Sequence, residues 1–120
     1  MPKTFQDFVR EAQSRIREIS AEDVLRKVQR GERLVVLDVR EPDEYQRGHL
    51  PGAISIPRGV IEGQAPQLLR DPGAEMVVYC ASGMRSALAA DTLQQMGYGN
   101  LHSMAGGFRD WSQIGGPVDR

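Results

Sequence analysis

The sequence has few of the residues that bind metals or form disulfides. Its 120 residues include one cysteine and two histidines. A single cysteine excludes an internal disulfide, and two histidines so far apart do not make a zinc site. We therefore expect no metal, and we expect the one cysteine, Cys80, to be a free thiol.

An excess of charge and long apolar runs are also absent. Lys and Arg total 15 against 16 Asp and Glu, and a net charge of −1 gives no electrostatic case for nucleic acid or membrane partners. The apolar runs are too short to span a bilayer, and charges throughout residues 1–19 leave no apolar core for a secretory signal. We predict a cytoplasmic protein of one domain, long enough for a single hydrophobic core.

One stretch organises the rest of the chain, VVYCASGMRS at residues 77–86. A short apolar run ends at Cys80, and apolar residues then recur at helical spacing from Ser86 to Met96. The pattern predicts a buried strand, a tight loop and a helix. A lone cysteine can also be a small buried core residue, so its surroundings decide its role.

Other apolar runs alternate with helical patterns at the spacing of βα units. We predict short strands at residues 16–19, 34–39, 53–56, 76–79 and 101–104, and helices at the opening of the chain and around residues 21–30, 42–47, 60–69, 86–96 and 107–114. This alternation indicates an α/β fold, in which a central, mostly parallel sheet of about five strands has helices on both faces. Sites in such folds form at the carboxyl ends of the strands, where Cys80 lies.

The predicted loop after the strand suits a reactive thiol. A turn from strand to helix directs backbone N–H groups inward and forms a concavity for anions, and the helix dipole adds to it. Gly83 permits the required backbone angles, and Arg85 brings a cation to the rim. A few such amides would favour the thiolate form of Cys80.

Three motifs in the chain resemble those of the rhodanese family. Residues 37–57, LDVREPDEYQRGHLPGAISIP, follow that family's opening motif closely. The loop CASGMRS is similar to its C-x-x-G-x-R-S active-site loop, and GGFRDW at residues 106–111 resembles its closing motif. The motifs lie in order, and the resemblance covers about residues 19–118.

The resemblance implies a sulfurtransferase that needs no metal or organic cofactor. Cys80 would attack a sulfane sulfur donor, such as thiosulfate or a persulfide, and would become a persulfide itself. A thiol or cyanide would then remove the sulfur, and a persulfide-carrying protein is a further candidate partner. The implied substrate-binding loop is formed by Ala81, Ser82, Gly83, Met84 and Arg85.

One departure from the family bears on the choice of donor. Members that prefer thiosulfate often have basic residues just after the cysteine, whereas Ala81 and Ser82 are neutral. Arg85 is therefore the single cation within the loop. A protein persulfide or a small persulfide would be an alternative donor.

Two other functions compete for the same residues. Cysteine-dependent phosphatases and arsenate reductases use a C-x5-R loop, whereas Cys80 to Arg85 is C-x4-R. A shorter loop suits a sulfur atom better than a tetrahedral phosphate. A non-catalytic rhodanese-like binding module is the second alternative, although such modules usually lack the cysteine.

Several other conspicuous residues have structural explanations. Asp38 and Arg40 should form buried or rim hydrogen bonds that fix strand ends, and they are candidates for a second layer around the site. Glu44 and His49 should be structural partners, because attack by a preformed thiolate needs no general base. Trp111 is expected to anchor the core.

The opening helix falls outside the family resemblance. We divide the chain into residues 1–15, an amphipathic helix extension, and residues 16–120, a rhodanese-like domain. Phe5, Phe8, Val9 and Ala12 share one helical face, which needs an apolar partner. We expect this face to pack on its own domain, with a dimer contact as the alternative.

Overall fold

The structure is a computed structural model that describes the whole chain, Met1–Arg120. Its five strands are β1 (Glu18–Ile19), β2 (Val35–Asp38), β3 (Ile54–Ser55), β4 (Met76–Tyr79) and β5 (Leu101–Met104). Its six α-helices are α1 (Phe5–Gln13), α2 (Ala21–Gln29), α3 (Pro42–Arg47), α4 (Ile61–Leu68), α5 (Met84–Gln95) and α6 (Gly107–Gln113), and a 3-10 turn covers Arg58–Val60. None of the helices combines the length and apolar character needed to cross a membrane.

The strands form one sheet in the order β1-β5-β4-β2-β3, and all four pairings are parallel. The predicted α/β fold with a parallel sheet of five strands is therefore confirmed. Strand β4 lies between β5 and β2, which also have four residues each, and all four residues of β4 are buried. Cys80 follows β4 directly, so it lies at the carboxyl edge of the sheet, at its central strand.

Helices cover both faces of the sheet and enclose two separate apolar clusters. One cluster contains Cys80 and lies under α4 and α5. The other contains Tyr79 and lies under α2 and α6, where Trp111 is fully buried. Because successive strand residues point to opposite faces, the neighbours Tyr79 and Cys80 contribute to different clusters.

Helix α1 packs on α5 of the same chain. Its buried residues are Val9 and Ala12, which are 3% and 1% exposed. Arg15, just after the helix, donates two hydrogen bonds of 2.9 and 2.7 Å to the carboxylate of Asp91 on α5. The apolar face of α1 thus has a partner within the chain, while Phe5 and Phe8 each remain 49% exposed.

The ends of several elements differ from the sequence-based expectation. Helix α5 begins at Met84 rather than Ser86, because Gly83 adopts a φ of +103° and occupies the position just before the helix. Helix α4 contains Pro66 and ends at Leu68, after starting from a 3-10 turn. Strand β1 begins two residues later than predicted, and β2 and β3 are one residue shorter at each end, whereas β4 and β5 have the predicted bounds.

Candidate active site

Cys80 lies at the junction of β4 and the loop that begins α5. Its side chain is 1% exposed. The backbone amides of Gly83 and Ser86 donate hydrogen bonds to its Sγ atom, with N–S distances of 3.1 and 3.3 Å. Both amides belong to the start of α5, where N–H groups lack partners inside the helix. The loop therefore directs hydrogen-bond donors and a helix N-terminus at one sulfur atom, an arrangement that stabilises negative charge there.

A pair of buried serines extends this network beyond the loop. The Sγ atom of Cys80 lies 3.6 Å from the Oγ atom of Ser86, which lies 2.8 Å from the Oγ atom of Ser103 on β5. Both serines are 0% exposed. Ser86 closes the C-x-x-G-x-R-S motif, whereas Ser103 has no signal in the sequence, because a serine on a short strand is not distinctive.

The turn that begins α6 holds the loop from the other side. The amide of Phe108 donates to the carbonyl oxygen of Cys80 at 2.8 Å, and the amide of Arg109 donates to that of Ala81 at 3.0 Å. Direct hydrogen bonds thus join the Cys80 loop to the GG turn. These contacts fix the first two peptide groups of the loop.

Arg85 forms an ion pair with Glu44 of α3. Its two terminal nitrogens lie 2.9 and 3.2 Å from the two carboxylate oxygens. The pKa of Glu44 is lowered to about 2, mainly by its hydrogen bonds with Arg85. The carboxylate is therefore charged at neutral pH. Glu44 was expected to be a structural partner, and in the structure it pairs with the loop cation.

The remaining predicted loop residues lie around the thiol. Ala81 and Ser82 are half-buried, and Gly83 is buried. Met84 and Arg85 belong to the first turn of α5 rather than to the loop. The side chain of Met84 reaches α1, where the Nε2 atom of Gln6 lies 3.8 Å from its sulfur.

Asp38 and Arg40 form a buried ion pair that does not touch the thiol. Arg40 donates to both carboxylate oxygens of Asp38 and to the carbonyl of Gly48. Tyr79 donates a 2.6 Å hydrogen bond to Asp38, because burial and the adjacent carboxylate raise the pKa of its hydroxyl.

This network belongs to the α6 side of the sheet. The Arg40 guanidinium lies 4.4 Å from the centre of the Phe108 ring, and the Phe108 amide holds the carbonyl of Cys80. Arg40 is 5% exposed and Asp38 is 0% exposed. The Asp38–Arg40 pair thus packs against the turn that begins α6, and that turn holds the Cys80 loop. The pair was expected to make hydrogen bonds that fix strand ends.

Other side chains near this edge have structural roles. His49 stacks on Tyr45 and its Nδ1 atom lies 2.9 Å from the Tyr45 carbonyl oxygen. Trp111 is fully buried and donates to the carbonyl of Pro117. No group of three or more His, Cys, Asp or Glu side chains is arranged to hold a metal ion.

Two surface cavities lie away from Cys80. The larger, of about 530 Å³, is lined by residues such as Pro66, Met96 and Tyr98. The smaller, of about 250 Å³, lies beside Val35, Ile54 and Met76, which are the first residues of β2, β3 and β4. The latter cavity is therefore at the amino ends of the strands, opposite the reactive loop.

Known proteins with similar sequences include two whose names refer to sulfur transfer. The chain is 40% identical over 99 residues to the "Putative sulfur carrier protein YrkF" of Bacillus subtilis (strain 168), covering 82% of this chain and 52% of that protein. It is 36% identical over 115 residues to the thiosulfate:glutathione sulfurtransferase of Saccharomyces cerevisiae, covering 86% of this chain and 83% of that protein. The chain thus spans about half the length of YrkF and most of the yeast protein.

A solved structure matches nearly the whole chain. It is a protein of unknown function from Rhodopseudomonas palustris CGA009, named a "Possible Tyrosine Phosphatase", with 35% identity and a TM-score of 0.89 over 99% of both chains. The sequence model of the family called "Rhodanese-like domain" matches residues 20–114. On this match, and with its parallel five-stranded sheet, the chain belongs to the rhodanese family.

Proposed function

We propose that this protein is a sulfurtransferase that carries a sulfane sulfur as a persulfide on Cys80. The observation that supports this most directly is the pair of amides, from Gly83 and Ser86, that donate to its Sγ atom. Hydrogen bonds to a charged group contribute about 1.5–3 kcal/mol each. Such donors stabilise the attacking thiolate and also the thiolate that is released when sulfur leaves.

In the first step, the thiolate of Cys80 attacks the outer sulfur of the donor. With thiosulfate, a bond forms between Sγ and this sulfur, the S–S bond of thiosulfate breaks, and sulfite leaves with the electron pair. With a persulfide donor, the leaving group is a thiolate. Covalent catalysis of this kind divides one transfer into two displacements.

In the second step, an acceptor removes the outer sulfur from Cys80. A thiolate acceptor attacks that sulfur and becomes a persulfide, whereas cyanide becomes thiocyanate. The S–S bond to Cys80 breaks and its electrons return to Sγ, where the loop amides again stabilise the charge. Both steps balance without a metal, an organic cofactor or an external oxidant.

The names of the relatives agree with these partners. One is named as a sulfur carrier and another as an enzyme acting between thiosulfate and glutathione, a thiol. We accordingly propose thiosulfate or a persulfide as the donor and a thiol or cyanide as the acceptor. A cytoplasmic location stays a prediction from the sequence.

Mass spectrometry of the intact protein tests the proposal. After incubation with thiosulfate or a small persulfide, we expect a gain of one sulfur, about 32 Da, that a reductant removes. The gain should map to Cys80, be absent from Cys80→Ser, and disappear on addition of cyanide with release of thiocyanate. A folded protein whose Cys80 accepts no sulfur from any donor would instead support the non-catalytic binding module.

The phosphatase alternative has one observation in its favour, the name of the Rhodopseudomonas palustris protein. Two features of the site oppose it. The C-x4-R loop is one residue shorter than the phosphatase loop, and the Arg85 side chain is already paired with Glu44. We expect negligible hydrolysis of a synthetic aryl phosphate, and rapid hydrolysis that Cys80→Ser abolishes would overturn the size argument.

A further inference from the structure

The carboxyl edge of the sheet is rich in arginine but has no excess of positive charge. Four arginines follow the carboxyl ends of β2, β3, β4 and β5, and each has a carboxylate within 4 Å. The pairs are Arg40–Asp38, Arg58–Glu62, Arg85–Glu44 and Arg109–Asp110, with N–O distances of 2.7, 3.6, 2.9 and 3.3 Å. Each of these four guanidinium groups therefore has a carboxylate within 4 Å, and the loop offers an anion its backbone amides.

The pair beside the thiol is held by two hydrogen bonds. The side chains of Arg85 and Glu44 are 33% and 24% exposed, and both carboxylate oxygens are engaged. One of these oxygens also accepts a hydrogen bond from the Glu41 amide at the start of α3. Glu44 is thus fixed by α3 and by Arg85 together, and its charge stays beside the loop.

This arrangement bears on which sulfur donor the site accepts. Thiosulfate carries two negative charges at neutral pH, and moving it into the loop removes water from both. A persulfide carries at most one negative charge on its sulfurs. A free arginine would favour the doubly charged donor, whereas an arginine already neutralised by a carboxylate favours it much less.

We infer that Glu44 is a specificity-determining residue, which neutralises Arg85 and makes the site selective for sulfane donors with one negative charge or none, the persulfides, over thiosulfate. The inference rests on the proposed function. The reaction with such a donor is the attack of the Cys80 thiolate on the outer sulfur of R–S–SH. A bond forms to Sγ, the S–S bond of the donor breaks, R–S⁻ leaves with the electron pair, and the proton stays on the transferred sulfur.

Two donors that differ in charge provide the test. Thiosulfate and methanethiosulfonate both present a sulfane sulfur on a sulfonyl group. Thiosulfate carries two negative charges, and methanethiosulfonate carries one. Reaction of the latter forms the same persulfide and releases methanesulfinate. The ratio of kcat/KM for thiosulfate to kcat/KM for methanethiosulfonate, with cyanide as acceptor, reports charge selection separately from overall reactivity.

For Glu44→Gln we expect this ratio to rise about three- to tenfold at low ionic strength, and the rise to shrink with added salt. The matched control is Asp43→Asn, which makes the same change in net charge one residue away. Asp43 is 71% exposed and pairs with Arg47, away from the loop. The control should leave the ratio within about twofold of wild type.

A double variant separates charge from structural damage. Glu44→Gln with Arg85→Gln removes both partners and keeps the local charge at zero, so the ratio should return to that of wild type. A ratio that Glu44→Gln leaves unchanged while either donor still loads Cys80 overturns the inference and leaves the proposed function standing. Failure of every donor to load Cys80 in the folded wild type overturns the proposed function itself. Circular dichroism of each variant establishes that it is folded.

Discussion

Gly107 lies against the carbonyl group of Cys80 so closely that no side chain fits between them. A Cβ atom at Gly107 would be 2.3 Å from the Cys80 carbonyl oxygen and 2.8 Å from the carbonyl carbon of Ala81, and the φ of Gly107 is +53°. We predict that Gly107→Ala displaces the loop, abolishes most sulfur transfer and costs at least about 2 kcal/mol of unfolding free energy. Urea unfolding and persulfide formation would measure the two effects.

Gly63 provides the control for this substitution. It lies within α4, and a Cβ there would have no atom within 4 Å. Gly63→Ala should therefore leave sulfur transfer intact and raise stability by about 0.5–1 kcal/mol. Equal losses of activity in both variants would contradict the role that we give to the contact at Gly107.

The serine pair should set the reactivity of the thiol. We predict that Ser86→Ala lowers the rate at which iodoacetamide alkylates Cys80 at neutral pH by about tenfold, because the hydroxyl that accepts from the Cys80 thiol can rotate to donate to the thiolate. Ser103→Ala should have a smaller effect, since its hydroxyl contacts Ser86 rather than the sulfur. Ser112→Ala, at an exposed position of α6, is the control. Identical alkylation rates in all three variants would exclude a role for the hydroxyls.

The buried pair of Asp38 and Arg40 should matter for folding. Removing one partner of a buried ion pair costs about 3–5 kcal/mol, which we expect for Asp38→Ala in urea unfolding. Tyr79→Phe removes the hydrogen bond to Asp38 and the one that the Tyr79 oxygen accepts from the Leu50 amide, and it should cost about 1–3 kcal/mol. In both variants, activity should fall in proportion to the folded fraction. A fully folded Asp38→Ala that has lost sulfur transfer would place Asp38 in the chemistry instead.

The ion pair of Glu44 and Arg85 should make stability depend on pH in acid. The pKa of Glu44 is lowered from 4.5 to about 2 in the folded protein, so its contribution is complete above pH 4.5 and is lost as the pH falls toward 2. We predict that the unfolding free energy of wild type exceeds that of Glu44→Gln by on the order of 1–3 kcal/mol at pH 7. This range allows for the partial exposure of the pair. At pH 3 more than half of this difference should be gone. A difference that is constant from pH 7 to pH 3 would refute the ion-pair explanation.

Removal of residues 1–15 tests the division of the chain. We predict that residues 16–120 still fold, but with about 2–4 kcal/mol less stability, because Val9 and Ala12 no longer cover α5. The truncation also leaves the carboxylate of Asp91 without Arg15. Asp91→Asn should therefore destabilise the full chain and not the truncated one. Light scattering of the full chain addresses the dimer alternative, and a monomer would exclude it.

The order of strands and helices could be predicted from the sequence because each signal is local. The apolar run before Cys80 and the helical spacing after Ser86 identify both elements without knowledge of the rest of the chain. The ends of the helices and strands were predicted less accurately. Met84 and Arg85 joined α5 because a glycine with positive φ stops the loop just before them, and sequence alone does not reveal which loop conformation a glycine adopts.

The contacts that complete the site could not be predicted, because they join residues that are distant in sequence. Glu44 and Arg85 are separated by 41 positions, and Ser86 and Ser103 by 17. In both pairs, the sequence around one residue does not indicate which distant residue it will contact. Asp38 and Arg40 were the exception. They lie two residues apart at the end of a predicted strand, so a hydrogen bond between them was a local expectation.

The turn that begins α6 has a consequence for where a second sulfur would find hydrogen-bond donors. Its amides bind the carbonyl oxygens of Cys80 and Ala81, and in a trans peptide the N–H group points opposite to the C=O group. The N–H groups of Ala81 and Ser82 are thus turned away from α6, and neither has an acceptor within the protein. These two N–H groups would be available to the outer sulfur that a persulfide adds to the Cys80 thiolate.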